Sequence, residues 1–121
     1  MSVYCHVVVK PGATAGQLAA LGTALWAWCT GAANGDGVYQ YLDNQGLADL
    51  IAGRLPAADP SVRPADRWGV RFRVPDGAFP DRRAVVESLT RALPAAAVEA
   101  VRADGVSRAG AGPKIVPASP S

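Results

Sequence analysis

Cys5, His6 and Cys29 are the only soft metal-ligand candidates of the chain, and a cysteine beside a histidine could also act as a nucleophile. A zinc site needs three or four such ligands, and the chain has one histidine and two cysteines. Cys5 and His6 are adjacent in a segment with a strand pattern, so their side chains should point to opposite faces of a sheet. A cysteine–histidine nucleophile would need both groups on one face. The sequence therefore predicts no metal site, no cofactor and no catalytic set.

The two cysteines are too few for a disulfide scaffold. Cys5 lies near the start of the first predicted strand and Cys29 at the end of the first predicted helix, which should bring both to one end of the core. We interpret them as buried thiols, and a redox pair between them is the alternative.

The elements that position these residues begin with a strand that ends at Pro11-Gly12. Thr14 and Gln17 then have the spacing of a capping box, and apolar residues at helical intervals predict a helix over 15–29. Further strands are predicted over 38–42, 68–74 and 98–106. A short helix should end before Pro56, and another helix should begin at Asp81 and end before Pro94.

This order predicts an α+β, ferredoxin-like (βαβ-βαβ) sandwich, with a four-stranded antiparallel sheet, two main helices on one face and a short inserted helix. We expect one domain over 1–107 and a Gly/Pro/Ser-rich tail over 108–121. The apolar faces of the central strands and long helices should form the core, which predicts burial of Val7, Leu21, Leu25, Val70, Phe72, Val86 and Leu89.

The other face of the predicted sheet is the candidate binding surface, and strand alternation places a mixed aromatic and basic set there: Tyr4, His6, Val8, Arg71 and Arg73, with Tyr39 and Tyr41 or their neighbours. Ile115 and Val116, between two prolines, form a second candidate: a short extended peptide that docks on a partner or a neighbouring subunit.

Nucleic-acid binding is the first alternative, because an RNA recognition motif has the same strand order. The segment 67–74 shares the general character of that motif's third strand. However, its aromatic residues, Trp68 and Phe72, alternate with Arg71 and Arg73 and fall on the core face. The stacking platform is missing, which argues against RNA.

A small ferredoxin-like enzyme or small-molecule binder is the second alternative. The segment Val7-Val8-Val9-Lys10-Pro11-Gly12 running into a helix resembles the opening of the dimeric ferredoxin-like barrels of the antibiotic-biosynthesis-monooxygenase type, over about a tenth of the chain. The resemblance implies a cofactor-free oxygenase or cyclase and transfers no residue. On this hypothesis a pocket between the sheet and segment 43–67 would use His6 and Tyr4 as polar groups.

Composition limits the remaining classes. Half of the 121 residues are hydrophobic and 18% are charged, which excludes a disordered chain, and no apolar run is long enough to span a membrane. No signal-peptide pattern is present, so a cytoplasmic protein is expected. Ten arginines against two lysines are typical of a GC-rich bacterial genome.

We expect a non-enzymatic binding or assembly module that is an accessory or regulatory part of a bacterial multiprotein system. Its partner should be another protein or a second copy of the chain.

Overall fold

The computed structural model describes residues 2–31, 42–61, 64, 67–75, 79–103, 106–109 and 115–117, and for residues 2, 75, 106–109 and 115–117 the backbone alone. Its elements are β1 (Ser2–Val9), α1 (Ala15–Cys29), α2 (Asn44–Ile51), β2 (Gly69–Pro75), α3 (Arg82–Ala92), β3 (Val98–Ala103), β4 (Val106–Ala109) and β5 (Ile115–Pro117). A 3-10 turn, Ala95–Ala97, joins α3 to β3.

Local capping explains where the helices begin. The Thr14 hydroxyl accepts the Gln17 N–H at 3.1 Å, and the Gln17 side chain accepts the Thr14 N–H at 2.9 Å, which confirms the predicted capping box and the helix over 15–29. The Asp81 carboxylate caps α3 in the same way by accepting the Ala84 N–H at 2.9 Å. The helix α2 ends at Ile51, earlier than the predicted stop before Pro56, because the chain turns at Gly53 with φ of 79°.

All pairs of neighbouring strands are antiparallel. Three long strands lie in the order β2-β1-β3, and two short strands, β4 and β5, extend the sheet beyond β3. The helices α1 and α3 pack on one face through a continuous core that contains all seven residues predicted to be buried together, which confirms that prediction.

The α+β class is confirmed, but the predicted four-stranded ferredoxin-like sandwich is wrong. Most of the predicted strand over 38–42 lies outside the described residues, and Leu42 is not in a strand. On the outer edge of β2, the Asp43 N–H donates to the Arg71 carbonyl at 2.9 Å, directly before α2 begins.

The C-terminal segment accounts for the other part of this error. The predicted strand over 98–106 ends at Ala103, and the chain then returns as β4 and again as β5. Proline is tolerated in a sheet at an edge, where β5 lies and where Pro117 pairs with Val106. The predicted boundary between residues 107 and 108 falls inside β4, and an independent tail over 108–121 stays a prediction.

Within the described part of the chain, no helix is both long enough and apolar enough to cross a membrane.

Candidate functional site

The candidate site is the second face of the sheet, defined here as the face opposite α1 and α3. Strand pairing orders its side chains in rows: Tyr4 lies opposite Arg73, and His6 lies between Arg71 on β2 and Arg102 on β3. Directly opposed residues of antiparallel strands have Cβ atoms about 4.5–5.5 Å apart. Two arginines therefore flank the only histidine of the chain.

The five residues predicted for this face differ in how accessible they are. Tyr4 is 56% exposed, Arg71 is exposed, and His6 and Arg73 are partly buried. Val8 is only 1% exposed although alternation places it on the same face. Val8 therefore adds almost no area for a partner.

The Tyr4 ring and Arg73 form a cation–π pair. The guanidinium carbon lies 4.2 Å from the ring centroid, well inside the distance at which such pairs attract. The contact fixes the arginine across one side of the ring while more than half of the tyrosine remains accessible.

Arg71 is held by a carboxylate from the segment that precedes β2. Its Nη2 lies 3.0 Å from Asp59 Oδ2, with the two side chains 46% and 37% exposed. The other carboxylate oxygen of Asp59 accepts the Ser61 hydroxyl at 2.6 Å and the Ser61 N–H at 2.9 Å. These bonds to Ser61, and then the nearby Arg71 charge, lower the pKa of Asp59 below its usual 3.8, so it is anionic at neutral pH.

A polar cleft of about 200 Å³ opens between this segment and the second face. The cleft brings together charged and polar side chains that are far apart in the sequence, and two small residues also line it. Its lining consists of His6, Asp43, Ala57, Asp59, Arg67, Gly69 and Arg71. The backbone N–H of Asp59 donates to the Arg67 carbonyl at 2.9 Å and closes the loop that carries the outer wall.

Gly69 provides the space for the histidine in this cleft. A Cβ atom at this position would overlap Nε2 of His6 and lie 2.7 Å from both His6 Cδ2 and the Val7 carbonyl oxygen. The imidazole therefore lies directly over the Gly69 backbone, and a side chain there would displace it.

A shallower depression adjoins the cleft. It has a volume of about 460 Å³ and is lined by Tyr4, Arg71, Phe72 and Arg73. Arg71 lines both, so the aromatic depression and the polar cleft share this residue.

Sequence reasoning missed Arg102, Arg67, Asp43 and Asp59 as part of this site. Arg102 could have been found, since the same alternation that selects His6 applies to β3. Asp59 and Arg67 lie in a loop without periodicity, and no local pattern places them over the sheet. Tyr39 and Tyr41 lie outside the described residues. Ile115 and Val116 form most of β5, whose backbone pairs with β4 of the same chain, and their docking on a partner stays a prediction.

Both cysteines lie within the described residues, and neither forms a disulfide. Each is buried on the core side, and burial raises the pKa of the Cys29 thiol to about 12. The described residues also contain no group of three or more His, Cys, Asp or Glu side chains arranged to hold a metal ion.

Comparison of the chain with protein-family models, with curated proteins and with solved structures found no match.

Proposed function

We propose that this protein is a non-enzymatic binding module, an accessory or regulatory component that recognises its ligand through the second face of the sheet. The observation that carries the proposal is the convergence of Arg67, Arg71 and His6 on one open cleft beside the exposed Tyr4 ring.

The lining of the cleft favours binding over nucleophilic catalysis. Its described side chains include a histidine, carboxylates and guanidiniums, but no serine, threonine or cysteine that could act as a nucleophile. The neighbouring Cys5 belongs to the core cluster on the other face of the sheet. Guanidinium groups hold carboxylates and phosphates in fixed geometry and do not transfer protons near neutral pH, which is typical of recognition.

The proposal predicts a bound molecule that depends on Arg71. The protein is isolated from cells of its own source and analysed by native mass spectrometry for any co-purifying mass, whether a small molecule, another protein or a second copy. We expect Arg71→Ala to lose that mass. Arg83→Ala is the matched control, because Arg83 is an exposed arginine on α3, on the opposite side of the sheet.

Equal retention of a co-purifying molecule by both variants would place binding elsewhere on the protein. The absence of any bound mass in the wild-type protein would equally contradict the proposal. Sedimentation of the same samples separates a second copy of the chain from a different partner, because only the former gives a dimer with no other mass.

A further inference from the structure

We infer that the second face binds a small molecule that carries one aromatic or heteroaromatic ring and one anionic group, a phosphate or a carboxylate. This inference rests on the proposed function and names the chemistry of its ligand. It follows from the position of two unlike surfaces, the Tyr4 depression and the His6 cleft, on either side of Arg71.

The first surface suits a flat ring. Tyr4 exposes more than half of its surface, and the Arg73 guanidinium already lies against it at 4.2 Å from the centroid. A ligand ring in the depression can contact the aromatic side chain and the planar guanidinium of Arg73 together, and both groups stack on π-systems.

The second surface suits an anion. Arg71 and Arg67 line the cleft with His6, and Arg102 lies opposite His6 on the neighbouring strand. Charge-assisted hydrogen bonds from guanidinium groups to phosphate or carboxylate are about twice as strong as neutral ones and can be bidentate.

The spacing sets the size of the ligand. Tyr4 and His6 are two residues apart on one strand, a separation of about 7 Å on the same face. A ring joined to its phosphate through a sugar, or to a carboxylate through a short chain, spans this distance.

Asp59 is an internal competitor for the anion. Its carboxylate lies 3.0 Å from Arg71 Nη2, in the position that a ligand oxygen would take. A bound anion must displace or share this contact, so removal of the Asp59 charge should strengthen binding.

The same face argues for one ring rather than a nucleic-acid strand. Along the described stretches of β1, β2 and β3, Tyr4 is the only phenylalanine, tyrosine or tryptophan on the second face, and the His6 ring lies over the Gly69 backbone. Binding of single strands relies on successive bases stacked on several aromatic residues.

The test is calorimetric titration with adenosine monophosphate, adenosine, inorganic phosphate and phenylacetate. We expect the nucleotide to bind more tightly than either adenosine or phosphate.

Tyr4→Ala and Arg71→Ala should each weaken nucleotide binding about tenfold, by loss of stacking and of the charged contact respectively. Tyr4→Phe, which keeps the ring, and the distant Arg83→Ala should bind as the wild type does. Asp59→Asn, which keeps an oxygen acceptor for Ser61, should tighten binding about threefold.

Phenylacetate separates the two sources of the anion: tighter binding of this probe than of the nucleotide assigns a carboxylate, and the reverse assigns a phosphate. Failure of all four probes to bind overturns the inference. Tighter binding of a single-stranded oligonucleotide than of the nucleotide also overturns it. Either result leaves the proposed function standing if the mass that co-purifies still depends on Arg71.

Discussion

Among single residues, Gly69 has the clearest link to the candidate site. We expect Gly69→Ala to lower the free energy of unfolding by about 1–3 kcal/mol, because the new methyl group meets the Val7 carbonyl as well as the His6 ring. Urea denaturation measures the loss, and the imidazole resonances of His6 should shift in the same variant. Gly12→Ala is the control, since a Cβ there has no atom within 4 Å. Equal effects of the two substitutions would contradict the packing of His6 over Gly69.

The Cys29 thiol predicts a loss of stability at alkaline pH. Burial raises its pKa from 9.0 to about 12, so the unfolded chain loses this proton at a lower pH than the folded chain. The stabilisation is complete below pH 9.0 and is lost as the pH rises from 9.0 towards 12. The urea midpoint of the wild-type protein should therefore fall more steeply over this range than that of Cys29→Ala. Parallel curves would show that other groups cause the alkaline loss.

At the scale of elements, α1 contains two glycines that should respond in opposite ways. Gly16 is in the first turn of α1 and has open space around it, so Gly16→Ala should stabilise the helix by up to about 0.5 kcal/mol, less than at an interior position. Gly22 lies where α1 meets α2, and a Cβ there would be 2.6 Å from the Ile51 backbone nitrogen. Gly22→Ala should cost about 1–3 kcal/mol despite the better helix propensity of alanine. Thermal or urea unfolding of the two variants provides the comparison, and a gain in stability from both would mean that the helices do not approach closely at Gly22.

The packing of α1 on the sheet depends on one aromatic cluster. The Trp28 ring is stacked on Phe79 with centroids 5.8 Å apart and is tilted against Phe72 of β2 at the same distance. Its Nε1 donates to the Ser88 hydroxyl of α3 at 2.9 Å. One side chain thus joins both main helices to β2 and satisfies its own polar atom.

For the whole molecule, the C-terminal segment provides the test of assembly. The predicted docking of Ile115 and Val116 on a partner means that deletion of residues 112–121 should abolish complex formation. The deletion should lower the free energy of unfolding by no more than about 1–3 kcal/mol, because β5 is a three-residue strand at the edge of the sheet and pairs with β4 alone. Sedimentation and urea denaturation measure the two effects. Unchanged assembly would reject the docking role, and a large loss of stability would show that the segment serves the fold.

The sequence alone determined the features that depend on neighbours a few residues apart. The capping box of Thr14 and Gln17 and the alternation of β1 and β2 are local, because a cap needs three residues and strand alternation has a period of two. These rules located α1 and placed Tyr4, His6, Arg71 and Arg73 on one face.

The tertiary structure alone decided which distant groups meet. The contact of Asp59 with Arg71 and the His6 ring over Gly69 join residues that no periodic pattern relates. The burial of Val8 and the addition of β4 and β5 to the sheet likewise depend on the path of the chain. Edge strands need only a few backbone hydrogen bonds, which any residue except proline can donate, so side-chain patterns predict them poorly.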